Sequence, residues 1–199
     1  MSTLVRQSAP AFTATAVMPD DTFCQDFSLE TLLGKYVVLF FYPLDFTFVC
    51  PSEILAFNRR LDDFCDRECE VVGVSVDSHY THLAWKNTPV EDGGIGPIRF
   101  PLVSDITKQI ARDYGILTDD AVALRATFLL DREGIVRHQV VNDLDLGRNV
   151  DDALRSLDAL RHVEATGEVC PANWESGRQA MDATPAGVVK YLKDLSLDP

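Results

Sequence analysis

The chain has 199 residues with a formal net charge of -13, 46% of them hydrophobic and 25% charged, which is ordinary globular composition for one domain plus an appendage. Such a charge repels nucleic acid and anionic membrane surfaces. No early apolar run is as long as a signal peptide and the most apolar stretch, Tyr36 to Tyr42, is too short to cross a bilayer, so a cytoplasmic protein is expected.

In chain order, Cys24 falls in an early hairpin or loop with no activating base beside it. Tyr36 to Tyr42 is unbroken β-branched and aromatic sequence between Gly34-Lys35 and Pro43, the pattern of a strand buried on both faces. After a loop, Pro51-Ser52-Glu53 opens a helix whose apolar positions are Ile54, Leu55, Phe57, Leu61 and Phe64. Glu70 to Asp77 reads as a second strand and Tyr80 to Asn87 as a helix. Pro89 to Pro101, with Gly93-Gly94 and Gly96, reads as loop. Asp105 to Tyr114 reads as a short helix stopped by Gly115. Asp131-Arg132-Glu133-Gly134 between Ala126–Leu130 and Ile135–Val140 signals a hairpin. Val150 to His162 is an amphipathic helix, and beyond it the pattern weakens into an arm. The expectation is an α/β domain over 1–163, with a central mixed sheet flanked by helices, and a C-terminal arm over 164–199.

Val-Cys-Pro occurs twice, at Val49-Cys50-Pro51 where strand turns into helix, and at Val169-Cys170-Pro171 in the arm. A cysteine in the first turn of a helix meets unpaired N–H groups and the positive end of the helix dipole, both of which favour the nucleophilic thiolate. Thr47 stands three residues before Cys50, within reach of its sulfur or of a bound oxygen. Arg125 enters an apolar strand, where a guanidinium is costly unless it meets an anion; the sulfur and the Glu53 carboxylate are candidates. Against this stands the plainer reading of a buried small cysteine, a turn threonine and a solvent-facing arginine.

Phe46-Thr47-Phe48-Val49-Cys50-Pro51-Ser52-Glu53 resembles the active-site motif of the peroxiredoxins, and Gly167-Glu168-Val169-Cys170-Pro171-Ala172-Asn173-Trp174 resembles the second-cysteine motif of their typical two-cysteine branch. The likeness runs through nearly the whole chain, including His82-Leu83-Ala84-Trp85, Gly93-Gly94-Ile95-Gly96-Pro97 and Val141-Asn142-Asp143. It implies a thioredoxin-like fold and a thiol-dependent peroxidase for hydrogen peroxide and organic hydroperoxides, with no cofactor and no metal. Cys50 would be the peroxidatic and Cys170 the resolving cysteine; Pro43, Thr47 and Arg125 match the peroxide-binding set, and Glu53 and Arg148 match charged positions that support it. The resemblance further implies a sulfenic acid, a disulfide between two subunits of a homodimer, recycling by thioredoxin or a flavoprotein disulfide reductase, and a ring of five dimers. Relatives prone to overoxidation carry Gly-Gly-Leu-Gly and a C-terminal Tyr-Phe pair. Here Gly93-Gly94-Ile95-Gly96 and Tyr191-Leu192 stand instead, so low to intermediate sensitivity is expected.

Other signals have ordinary explanations. Cys65 and Cys69 read as four apart on one helix, without further metal ligands nearby. Asp77, His79 and His82 read as a strand end followed by cap and surface positions. The Gly93 to Gly96 loop lacks the lysine and hydroxyl residue of a phosphate loop, and Trp85 and Trp174 read as packing residues. Two rival classes remain: a general disulfide oxidoreductase, against which Glu53 holds the place of the second cysteine in Cys-x-x-Cys, and an oligomeric chaperone or peroxide sensor without turnover.

Overall fold

A computed structural model describes residues 3–195. Strands are β1 (Thr13–Val17), β2 (Phe23–Ser28), β3 (Tyr36–Phe41), β4 (Cys69–Ser75), β5 (Leu102–Ser104), β6 (Arg125–Leu130) and β7 (Val136–Asn142). Helices are α1 (Cys50–Arg59), α2 (Leu61–Cys65), α3 (His79–Lys86), α4 (Gln109–Asp113), α5 (Val150–Thr166) and α6 (Pro185–Leu195). The chain divides into two compact units, Met1–Val150 and Asp151–Pro199, so nearly all of α5 groups with the C-terminal segment.

The first unit holds one mixed sheet in the order β2-β1-β5-β4-β3-β6-β7. β3, β4 and β5 run parallel and the remaining pairings are antiparallel, the thioredoxin-like arrangement. All six residues of β3 are buried, because alternate side chains serve opposite faces. Val37, Leu39 and Phe41 join Val72, Val74, Phe128, Ile110 and Tyr114 in one core. On the other face the Phe40 ring stacks on Phe57 of α1 at 4.4 Å and meets Phe100 edge-on at 5.6 Å. Gly73 makes room for that stack, since a Cβ there would lie 2.9 Å from the Phe40 ring and 2.8 Å from Leu102. Phe57 therefore fixes α1 over the end of β3, and the first turn of α1 lies where β3 delivers the chain.

The β6–β7 hairpin forms at the expected turn: Asp131 accepts from the backbone of Glu133 and Ile135, and Gly134 takes φ +78. Four expectations need correction. The apolar pattern from Ile54 to Phe64 is two helices, α1 and α2, broken at Arg60, whose ψ of 6 ends the first. Cys65 and Cys69 share no helix: Cys65 ends α2, and Cys69 opens β4 and is buried. His82 is wholly buried rather than at the surface. The sheet includes β5, three residues inside the segment between loop and helix, while that helix, α4, begins only at Gln109. Among the described residues no helix is long and apolar enough to cross a membrane, and no cluster of three or more His, Cys, Asp or Glu is placed to hold a metal.

Candidate active site

Cys50 is the first residue of α1 and is fully buried. Val49 supplies no side-chain cap to this helix end, and Pro51 occupies the first turn, where its missing N–H leaves nothing unpaired. The sulfur therefore sits at the positive end of the helix dipole, while the first-turn amides of Ser52 and Glu53 donate to the Val49 carbonyl. Pro43 is buried in the turn that leaves β3, and the loop from it returns Thr47 to the sulfur. Thr47 Oγ1 lies 2.9 Å from Cys50 Sγ and 2.8 Å from the Leu44 carbonyl. A hydroxyl has one proton, so it donates to Leu44 and accepts from a thiol, or turns and donates to a thiolate.

Arg125 opens β6 and is 4% exposed. Its Nη1 donates to Cys50 Sγ at 3.3 Å and to Glu53 Oε2 at 2.7 Å, and its Nε donates to the Leu144 carbonyl at 2.6 Å. Glu53, one turn along α1 from the cysteine, also receives the fork of Arg148: Nε to Oε1 at 2.8 Å and Nη2 to Oε2 at 2.9 Å. The Arg148 backbone N–H donates to the same carboxylate, and Nη1 is shared by the carbonyls of Phe41 and Ala126, each at 2.7 Å. Burial raises the Glu53 pKa, but the hydrogen bonds and charge of Arg148, with the charge of Arg125, outweigh it and hold the carboxyl below its ordinary value. Two guanidiniums thus face one carboxylate in a buried cluster, which leaves one positive charge uncompensated beside the sulfur. A low-dielectric surrounding strengthens its pull on any anion placed there.

The structure thus joins five of the seven sequence-chosen residues in one hydrogen-bonded set, Thr47, Cys50, Glu53, Arg125 and Arg148, with Pro43 buried where the chain leaves β3. Cys170 lies in the second unit, half-buried, its thiol donating to the Ala159 carbonyl at 3.6 Å. Burial and then the Glu168 carboxylate push that thiol up, opposed by Arg155. Sequence reasoning missed the buried network behind the Thr47 loop. Tyr42 Oη donates to Asp45 Oδ1 at 2.9 Å, His82 Nδ1 lies 2.7 Å from Asp45 Oδ2, and the Asp45 N–H donates to Asp77 at 2.7 Å. Asp45 and His82 are 37 positions apart in sequence, and no local pattern joins them.

A buried, cation-flanked sulfur at a helix start in a thioredoxin-like sheet defines a thiol-based redox protein. Comparison with known proteins narrows this class. Residues 5–139 match the AhpC/TSA family, and residues 159–194 match the C-terminal domain of 1-Cys peroxiredoxin. Alkyl hydroperoxide reductase C of Helicobacter pylori is 54% identical over 98% of both chains. The mitochondrial thioredoxin-dependent peroxide reductase of Homo sapiens is 50% identical over 96% of this chain and 75% of its own. The reduced 2-Cys peroxiredoxin of Plasmodium vivax superposes with a TM-score of 0.94 at 53% identity, covering 96% of this chain and 100% of that one. The chain belongs to the AhpC/TSA family of peroxiredoxins, whose chemistry is thiol-dependent peroxide reduction.

Proposed function

We propose that Cys50 is the peroxidatic nucleophile of a two-cysteine cycle, carried by one observation above all: its sulfur contacts Arg125 and Thr47 inside a cluster with surplus positive charge. The thiolate attacks the terminal oxygen of hydrogen peroxide or an organic hydroperoxide, the O–O bond breaks, and the leaving oxygen takes a proton to depart as water or alcohol. Arg125 and Thr47 donate to the two oxygens, stabilising the charge that moves onto the leaving one, while Glu53 and Arg148 hold Arg125 in place. Pro43 shapes the turn that brings Thr47 back.

Cys170 of a second copy then attacks the sulfenic sulfur, giving an intersubunit disulfide and water. A dithiol protein of thioredoxin type, or a flavoprotein disulfide reductase, restores both thiols by exchange. Homodimers assembled as a ring of five, in a reducing cytosol, complete the reading; the human relative is by name thioredoxin-dependent and the H. pylori relative an alkyl hydroperoxide reductase.

Steady-state peroxide reduction with thioredoxin, its reductase and NADPH tests this reading. Sustained peroxide-dependent NADPH loss, with a Cys50–Cys170 linked dimer on non-reducing electrophoresis, is expected. Insulin reduction without peroxide use would point to the disulfide oxidoreductase class instead.

A further inference from the structure

Arg155, Ala159 and His162 lie at i, i+4 and i+7 on α5 and so form one stripe along the helix. The chain past Gly167 folds back along that stripe, and each of the three residues takes a contact from it. Gly167 takes φ +74 and its N–H returns to the Val163 carbonyl, which ends the helix and reverses the chain. His162 Nε2 lies 3.0 Å from Glu168 Oε2. Cys170 Sγ donates to the Ala159 carbonyl, and Arg155 Nη1 donates to the Trp174 carbonyl at 3.5 Å. The indole of Trp174, 3% exposed, lies 4.9 Å from the His162 ring. His162 is the hub: one edge holds the carboxylate two residues before the cysteine, and one face meets the tryptophan four residues after it.

We propose that this stripe is a latch on the Cys170 segment, with His162 the positioning residue that sets how often the cysteine is free to react. The inference rests on the assignment of Cys170 as the resolving cysteine. Resolution converts Cys50–S–OH and Cys170–SH into Cys50–S–S–Cys170 and water: the S–O bond breaks, an S–S bond of about 2.05 Å forms, and the Cys170 proton leaves with the oxygen. The Cys170 thiol must first give up the Ala159 carbonyl, and while latched it sits beside Glu168, whose charge opposes its thiolate. Contacts made only in the latched state slow the disulfide step by stabilising its starting point. A slower resolution prolongs the sulfenic acid and so favours sulfinic oxidation when peroxide is abundant.

Removing the imidazole separates the latch from simple electrostatics. On charge alone, removing the imidazole leaves the Glu168 carboxylate beside Cys170 and gives no gain in reactivity, whereas loss of the latch makes the cysteine more reactive. His162→Ala in the full reduced chain is treated with limiting maleimide and each cysteine followed by peptide mass spectrometry. Cys170 labelling is expected to rise about three- to tenfold, the range of one lost hydrogen bond to a charged group partly screened by solvent, with Cys50 labelling unchanged. Rapid mixing with peroxide should show sulfenic acid forming at the unaltered rate and the disulfide forming faster by a similar factor. His162→Gln keeps an N–H donor for Glu168 and should restore part of the unaltered rate. Glu168→Ala, at the more exposed end of the pair, removes the same contact should His162→Ala fold poorly; amide exchange over 168–174 should rise in it. Unchanged or slower Cys170 labelling in His162→Ala, or unchanged exchange in Glu168→Ala, overturns the latch. If peroxide fails to oxidise Cys50 in the unaltered protein, the peroxidase reading fails instead, and the labelling result stands apart from it.

Discussion

The same tripeptide, Val-Cys-Pro, sits in two surroundings with opposite character. Around Cys50 the neighbours are a guanidinium, a hydroxyl and the start of a ten-residue helix, all of which interact more strongly with a sulfur anion than with a thiol. Around Cys170 the neighbours are a backbone carbonyl, which accepts from the thiol, and a carboxylate whose effect outweighs that of the Arg155 guanidinium. One site turns hydrogen-bond donors on its sulfur and the other an acceptor for its thiol proton. The tripeptide is the same while its surroundings differ: at Cys50 the nearby Thr47 is joined by Arg125 from 75 positions away, and at Cys170 the Ala159 carbonyl and the neighbouring Glu168 carboxylate take their place.

The sharpest way to break this contrast is to remove each sulfur in turn. Cys50→Ser should abolish peroxide reduction altogether, whereas Cys170→Ser should still consume about one equivalent of peroxide per chain and then stop, read by NADPH-coupled turnover against single-turnover peroxide loss. Next, Arg125→Ala should lower the second-order rate constant with peroxide on the order of 10²–10³-fold, the usual cost of losing a donor aimed at developing charge, while maleimide labelling of Cys170 stays as it was.

Glu53→Gln attacks the scaffold rather than the sulfur. It leaves two buried guanidiniums without their carboxylate and should cost about 3 kcal/mol of stability, measured by urea unfolding. The pH dependence has a definite sign. Because the folded Glu53 pKa is depressed, its ion pairs contribute fully above the ordinary carboxylate value of about 4.3 and are lost as pH falls from there through the lower folded value. The stability gap between the unaltered protein and Glu53→Gln should therefore be constant near neutrality and close in that acid window. A gap that persisted to pH 2 would contradict the assignment. Smallest of all, Leu192→Phe should raise the sulfinic fraction a few-fold under peroxide excess, seen by mass spectrometry; an unchanged fraction would remove the C-terminal aromatic pair as the cause of the expected tolerance.

Much of the site was legible because its parts violate local rules. The all-apolar run at β3 announced a central strand, a cysteine ahead of Pro51 announced a helix start, and an arginine opening β6 demanded an anion. Glu53 was legible as a partner, but Arg148 was picked out only by family likeness: it stands in a polar loop, and nothing local shows that its fork closes on a carboxylate 95 positions earlier. The break at Arg60 and the three-residue β5 were illegible for a related reason. Apolar spacing continues across the break, and a strand so short owes its existence to pairing with β4 and β1 rather than to its own sequence. The Asp45–His82 pair lay beyond reach because burial, the fact that makes it matter, is a property of the assembled sheet.

That surroundings and not the tripeptide choose the reactive sulfur is tested most directly by giving Cys170→Ser protein one equivalent of hydrogen peroxide in the presence of a diketone trap for sulfenic acids, then mapping the adduct by peptide mass spectrometry. The account predicts a single adduct, on Cys50, with Cys24, Cys65 and Cys69 unmodified. An adduct spread over the remaining cysteines, or none on Cys50, would contradict it.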